Sequence, residues 1–179
     1  MRRHPQGVTP RTALAVALAG VLASCASDEE AKKPPPDPGV GADMRPASGS
    51  AIHGRVTFQQ YDGGVAAAVS VWAGIPGTMR VVIHTTGVCS SPNGFSAGPP
   101  WIPPGATEPV IVRIFVSDNQ YGTTTARLRG IKVDGPDGIR GKSVVVHLGS
   151  SSSLDAQPDV PNNRVACGVI ETNRTPSLE

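Results

Sequence analysis

Cysteine and histidine are scarce in this chain of 179 residues, with three of the first and four of the second. No window of helical length carries a 3.6-residue apolar period, which argues against a helical domain. No element gathers a basic cluster, so the footprint of a nucleic-acid binder is missing and no such partner is expected. The apolar run 13–24, ALAVALAGVLAS, falls short of the roughly 20 residues that a membrane-spanning helix needs.

That short run has another meaning. Arg2, Arg3 and Arg11 precede it without any acid, and small residues follow it. A basic start, an apolar stretch and a small-residue cut site read as a secretory signal peptide over residues 1–24. Leu22-Ala23-Ser24-Cys25 resembles the bacterial lipobox, in which the cysteine is lipidated and becomes the first residue. An ordinary signal cut near residues 23–26 is the alternative. Lipid on Cys25 would tether the protein to a membrane rather than thread it through one. The expected product is an exported bacterial lipoprotein, membrane-anchored and periplasmic or cell-surface. Losing three arginines turns 16 bases against 14 acids into 13 against 14, so the mature chain is close to neutral.

With Cys25 assigned to the lipid, Cys89 and Cys167 remain. An even pair in an exported chain argues for one disulfide. Two thiolate metal ligands are the alternative, disfavoured in an oxidising compartment.

Residues 25–49 hold the lipid-bearing cysteine and then a polar, proline-rich stretch without aromatics, which cannot bury enough apolar surface to order itself. We read it as a disordered tether, stiffened by Pro34, Pro35 and Pro36. From residue 50 to 172 the pattern changes to short strands. IHGRVTFQQ and VAAAVSVWAGI flank the hairpin signal Asp62-Gly63-Gly64. TMRVVIHT, PVIVRIFVS, TTTARLRGI, KSVVVHLG and RVACGVIE follow, parted by turn residues. About eight short strands with regular turns imply an all-β sandwich or Greek-key barrel of antiparallel strands. Residues 90–109 and 149–163 are long loops, often functional in a compact domain. Residues 173–179 read as a tail.

Several ordered motifs resemble the copper/zinc superoxide dismutases, a Greek-key β-barrel family. GRVTFQQYDGGVAAAVSVWAGIPG is similar to the family's opening hairpin. VIHTTGVCSSPNGFSAG is similar to the segment with two copper histidines, the disulfide cysteine and the entry to the zinc loop. GKSVVVHLG resembles the strand that ends in another copper histidine. NRVACGVI resembles the closing signature, with its disulfide cysteine and an anion-guiding arginine. The resemblance runs from about Ile52 to Ile170.

Mapped residue by residue, the resemblance implies a damaged metal site. Val82 stands where the family has the first histidine of its His-x-His pair, and His84 keeps the second. Residues i and i+2 share a strand face, so both side chains point to one place. Pro100 takes the place of the histidine that bridges copper and zinc. Residues 104–116, where the remaining zinc donors belong, hold no His and no Asp. His147 matches the last copper histidine, and Arg164 matches the anion-guiding arginine. His53 falls where the family places no ligand. Met79 could lend a soft sulfur, though core filler is its simpler role.

Zinc is therefore not expected, and copper is the cofactor that His84 and His147 could hold. Cu(II) favours about four N/O donors, whereas Cu(I) accepts few. Three readings stay open: a noncatalytic structural or interaction domain, a copper-binding or copper-handling protein, and a genuine dismutase with a modified site, converting superoxide to oxygen and hydrogen peroxide and using Arg164 for anion guidance. The first leads.

Overall fold

The computed structural model describes residues 39–149 and 163–172. Among them are nine strands: β1 (Val40–Pro46), β2 (His53–Tyr61), β3 (Gly64–Trp72), β4 (Gly77–His84), β5 (Ile111–Val116), β6 (Gly122–Arg129), β7 (Ser143–Leu148), β8 (Arg164–Val169) and β9 (Glu171–Thr172). They run in the order β5-β4-β7-β8-β1-β2-β3-β6, with β9 added beside β1. Every named pairing is antiparallel. The two outer strands, β5 and β6, approach each other and nearly close a Greek-key barrel.

Period-2 patterning builds this shape. In β3, Val65, Ala67, Val69 and Val71 are buried while the residues between them face outward. Asp62 and Gly63 turn the chain between β2 and β3, and Tyr61 pairs with Gly64. The expected hairpin is thus present, with the two-residue loop that twisted strands favour.

The tether expectation fails over Val40–Pro46. These residues form β1, which pairs with β2 through Val40–Met44 and with β8 through Arg45 and Pro46. Val40, Ala42 and Met44 are buried, while Asp43 and Arg45 are exposed. This alternation is enough to seat a strand once neighbours accept it. Gly39, Gly41 and Pro46 masked it in the sequence. The folded domain therefore begins about ten residues before the expected start at 50. The expected signal peptide, Cys25, residues 25–38 and the expected tail 173–179 lie outside the described residues, as does most of the second long loop. Among the described residues, no helix is long and apolar enough to cross a membrane.

Candidate functional site: a closed histidine pair

Strand β4 sorts its residues between two faces. Met79, Val81 and Ile83 enter the main apolar core. Arg80, Val82 and His84 alternate with them and lie on the outward face of the barrel wall. The same split occurs on β7: Val144 and Val146 point inward, and Ser143, Val145 and His147 point outward. Register sets the outward residues in rows, Arg80 beside His147, Val82 beside Val145, and His84 beside Ser143. His84 and His147 are therefore diagonal neighbours, one row of valines apart.

Their rings meet across that row. The two Nε2 atoms are 3.0 Å apart, and both side chains are buried. The ring planes lie within 10° of each other, and the centroids are 5.2 Å apart. The centroid separation exceeds the nitrogen separation by close to two ring radii, so the rings point at each other nearly head-on.

Hydrogen bonding fixes the tautomers. His84 Nδ1 lies 2.8 Å from the Gly98 carbonyl, which can only accept. His84 therefore carries its proton on Nδ1, and its Nε2 is an acceptor. The proton between the rings belongs to His147 Nε2, which donates to His84. Burial pushes His84 down to about 4, partly opposed by the Gly98 bond and reinforced by Arg164. His147 is pushed down to about 2, by burial first, then by His84, Arg164 and Arg80. Both rings are neutral at neutral pH.

Gly98 ties this pair to a second expected residue. Arg164 Nη1 donates to the Gly98 carbonyl at 3.0 Å and to the Gly94 carbonyl at 3.1 Å. Its guanidinium also lies over Phe95, 4.8 Å from the ring centroid. Gly98 has φ 75° and ψ −163°, a region open to glycine almost alone. A Cβ there would also fall 2.6 Å from Thr85 Oγ1. The loop that carries this carbonyl is fastened to β8 by the Cys89–Cys167 disulfide, with Cα atoms 5.7 Å apart. The bond fits an oxidising, exported setting.

The expected donor losses acquire positions. Val82 is fully buried on the same face as His84. Pro100 forms a backbone bridge with His84, so the residue at the bridging position sits beside the pair and offers no lone pair from its side chain. Trp101 follows, donating its backbone N–H to the Ile83 carbonyl and packing into the core. Met79 is turned into the core on the opposite face of β4, which removes it as a soft ligand. His53 is exposed, stacked on Trp72 with centroids 5.8 Å apart, and far in topology from the pair. Arg80, only 2% exposed, escaped the sequence reading. Its signal was a charge in phase with Val82 and His84 inside an apolar strand.

The antiparallel barrel thus carries a buried imidazole pair, a loop disulfide and an arginine that shares the Gly98 carbonyl with His84. The chain belongs to the copper/zinc superoxide dismutase family, whose model matches residues 52–170. No curated protein matches the chain.

The family's two metals can be tested against these residues. A metal on the line between two imidazoles needs them roughly 4 Å apart, twice a metal–nitrogen bond of about 2 Å. At 3.0 Å only a proton fits. Among the described residues, no three His, Cys, Asp or Glu side chains converge as a metal-binding group. Neither a four-donor copper centre nor the family's zinc site fits this donor set.

Proposed function

We propose that this protein is an exported, lipid-anchored member of the superoxide dismutase family that serves a noncatalytic structural or interaction role. One observation carries the reading: His84 and His147 satisfy each other through a short N–H···N bond, with Val82 and Pro100 where further donors would stand. A redox centre needs several donors that hold copper in both oxidation states and leave one position open. Among the described residues the donors here are two, and each is already used. Membrane anchoring rests on Cys25, and export draws support from the disulfide.

The test is metal analysis of the purified, dialysed protein together with superoxide consumption after copper loading. The expected result is less than a tenth of an equivalent of copper or zinc and background consumption. Retained stoichiometric copper with turnover that slows in Arg164→Ala would overturn the reading in favour of a genuine dismutase.

A copper-binding role is the second reading, and the head-on ring geometry favours it. Nearly collinear nitrogens suit a linear, two-coordinate Cu(I) once the rings part by about 1 Å. Under that reading Cu(I) raises the melting temperature by linkage, and His84→Ala with His147→Ala abolishes the rise.

A further inference from the structure

Trp72, Ile75 and Tyr121 are exposed apolar side chains that neither the core nor the histidine pair uses. His53, Trp72 and Tyr121 form one row across the end of β2, β3 and β6, with 5.8 Å between the His53 and Trp72 rings and again between Trp72 and Tyr121. Ile75 lies beyond this row, in the connection from β3 to β4, and is 57% exposed. The backbone beside both aromatics is fixed. Ala73, next after Trp72, has φ 54°, and Gln120, just before Tyr121, has φ 63°. Residues with a Cβ enter this left-handed region at a cost, and residues held so cluster at ligand contacts. The Gly74 N–H donates to the Gln120 carbonyl at 3.1 Å and ties the two segments together. On the other side of the aromatic row, two residues along each strand, Arg55, Ser70 and Thr123 form a polar row on the same face. Arg55 is paired with Asp43 at 3.6 Å, and Asp118 lies in the turn that leads to Tyr121. The corner therefore has no excess of positive charge, and apolar contact has to hold whatever docks on it.

We infer that this corner docks on a lipid bilayer, with Ile75 reaching the acyl chains and Trp72 and Tyr121 at headgroup level. The inference rests on the reading that Cys25 carries a lipid. An aliphatic tip, then an aromatic row, then a polar row is the order met in passing from hydrocarbon out through the headgroups, where Trp and Tyr place their amphipathic rings. Chain length allows the contact. Val40 follows Cys25 by 15 residues, a covalent reach of up to about 50 Å. Val40 pairs with Phe58 on β2, and His53 lies five residues back along that strand, about 17 Å away. The reach thus exceeds the distance from the start of β1 to the aromatic row. An anchored lipid also makes docking intramolecular, so the few apolar side chains of this corner act at a high effective concentration of bilayer.

The experiment takes the mature protein from the membranes of the cells that make it and reconstitutes it into phosphatidylcholine vesicles, with or without bromine on the acyl chains. Tryptophan emission is the readout. Trp101 is 8% exposed and packed in the core, so quenching by bromine reports on Trp72, which is 39% exposed. The expected outcome is that brominated chains remove roughly a third or more of the emission, at low and high salt alike because no charge attraction is involved. Ile75→Asp with Tyr121→Asp keeps the Trp72 reporter and loses most of that quenching. Should the double variant fail to fold, Ile75→Asp alone, in an exposed connection, carries the same expectation. Emission unchanged by bromine in protein that floats with the vesicles overturns the docking surface and leaves the anchor standing. Equal quenching in the unaltered protein and the variants overturns it too. Protection of Trp72 from aqueous iodide that grows with protein concentration in detergent, without vesicles, assigns the corner to a second copy and overturns the inference. Protein that does not float and has no lipid mass on Cys25 overturns the anchor reading, and the inference with it.

Discussion

The two faces of β4 obey different rules. Inward, Met79, Val81 and Ile83 join the core cluster as any strand of a barrel requires. Outward, Arg80, Val82 and His84 are buried just as deeply but hold a charge, a hydrocarbon and an imidazole. The inward face specifies the fold and tolerates only apolar residues of similar volume. The outward face has to satisfy buried polar groups as well as fill space. Apolar packing and polar pairing are thus separated on one strand, at a spacing of one residue.

If the outward side were dispensable, its disulfide would be too. Cys89 and Cys167 cluster with Ala97 and Val145 on that side. They are separated by 78 residues, and releasing such a loop costs roughly 4–5 kcal/mol on the chain-entropy model. Cys89→Ser with Cys167→Ser is expected to lower stability by that amount in urea denaturation. A loss under about 1 kcal/mol would show that the outward side contributes nothing to stability.

The inward face gives the next largest effect. Ile83 is 3% exposed, and Ile83→Ala is expected to cost about 2–5 kcal/mol through lost burial and a cavity. Beside it, His84→Leu and His147→Leu each leave one ring without its partner and should cost about 1–3 kcal/mol. The double variant should cost clearly less than the sum of the two, because the second change removes the group that the first left unsatisfied. Additive losses would mean that the two rings are not coupled.

The fold was readable because its signals are short-range. The hairpin glycines, the alternating valines of β3 and the apolar runs of β4, β5 and β7 each appear within a few residues. The losses at Val82 and Pro100 were readable too, since a strand fixes which residues share a face. What stayed hidden depends on distant pairing. The strand β1 carries weak alternation between glycines and a proline, and its place is set by β2 and β8. The meeting of His84 with His147 depends on register across 63 residues, and the tautomers depend on a carbonyl at Gly98. Arg80 drew no notice because its place beside His147 is set by register across the ladder.

Acid should separate the faces again. Both imidazoles have folded values below the ordinary 6.5, so the unfolded chain takes up protons first as pH falls. Their contribution is intact above about pH 6.5 and is lost downward toward about pH 4, where His84 also protonates in the folded state. The slope is about 1.4 kcal/mol per pH unit for each ring, which makes about 3 kcal/mol for His84 across that window. Stability measured in urea between pH 7 and 4 should fall more steeply for the unaltered protein than for the His84→Leu, His147→Leu double variant. Parallel curves would show that the pair is not held neutral.

The smallest effect belongs to the histidine that stands apart. His53 lies on the exposed side of β2, its ring on Trp72 and its Nδ1 3.1 Å from the Ala51 carbonyl. A stacked pair at an exposed site contributes little, and the bond to Ala51 competes with water. His53→Ala is expected to change stability by no more than about 0.5 kcal/mol, as for an ordinary surface position. It should also leave any Cu(I) response as it was. A larger loss, or a metal response that disappears with His53, would give the imidazole outside the pair a role of its own.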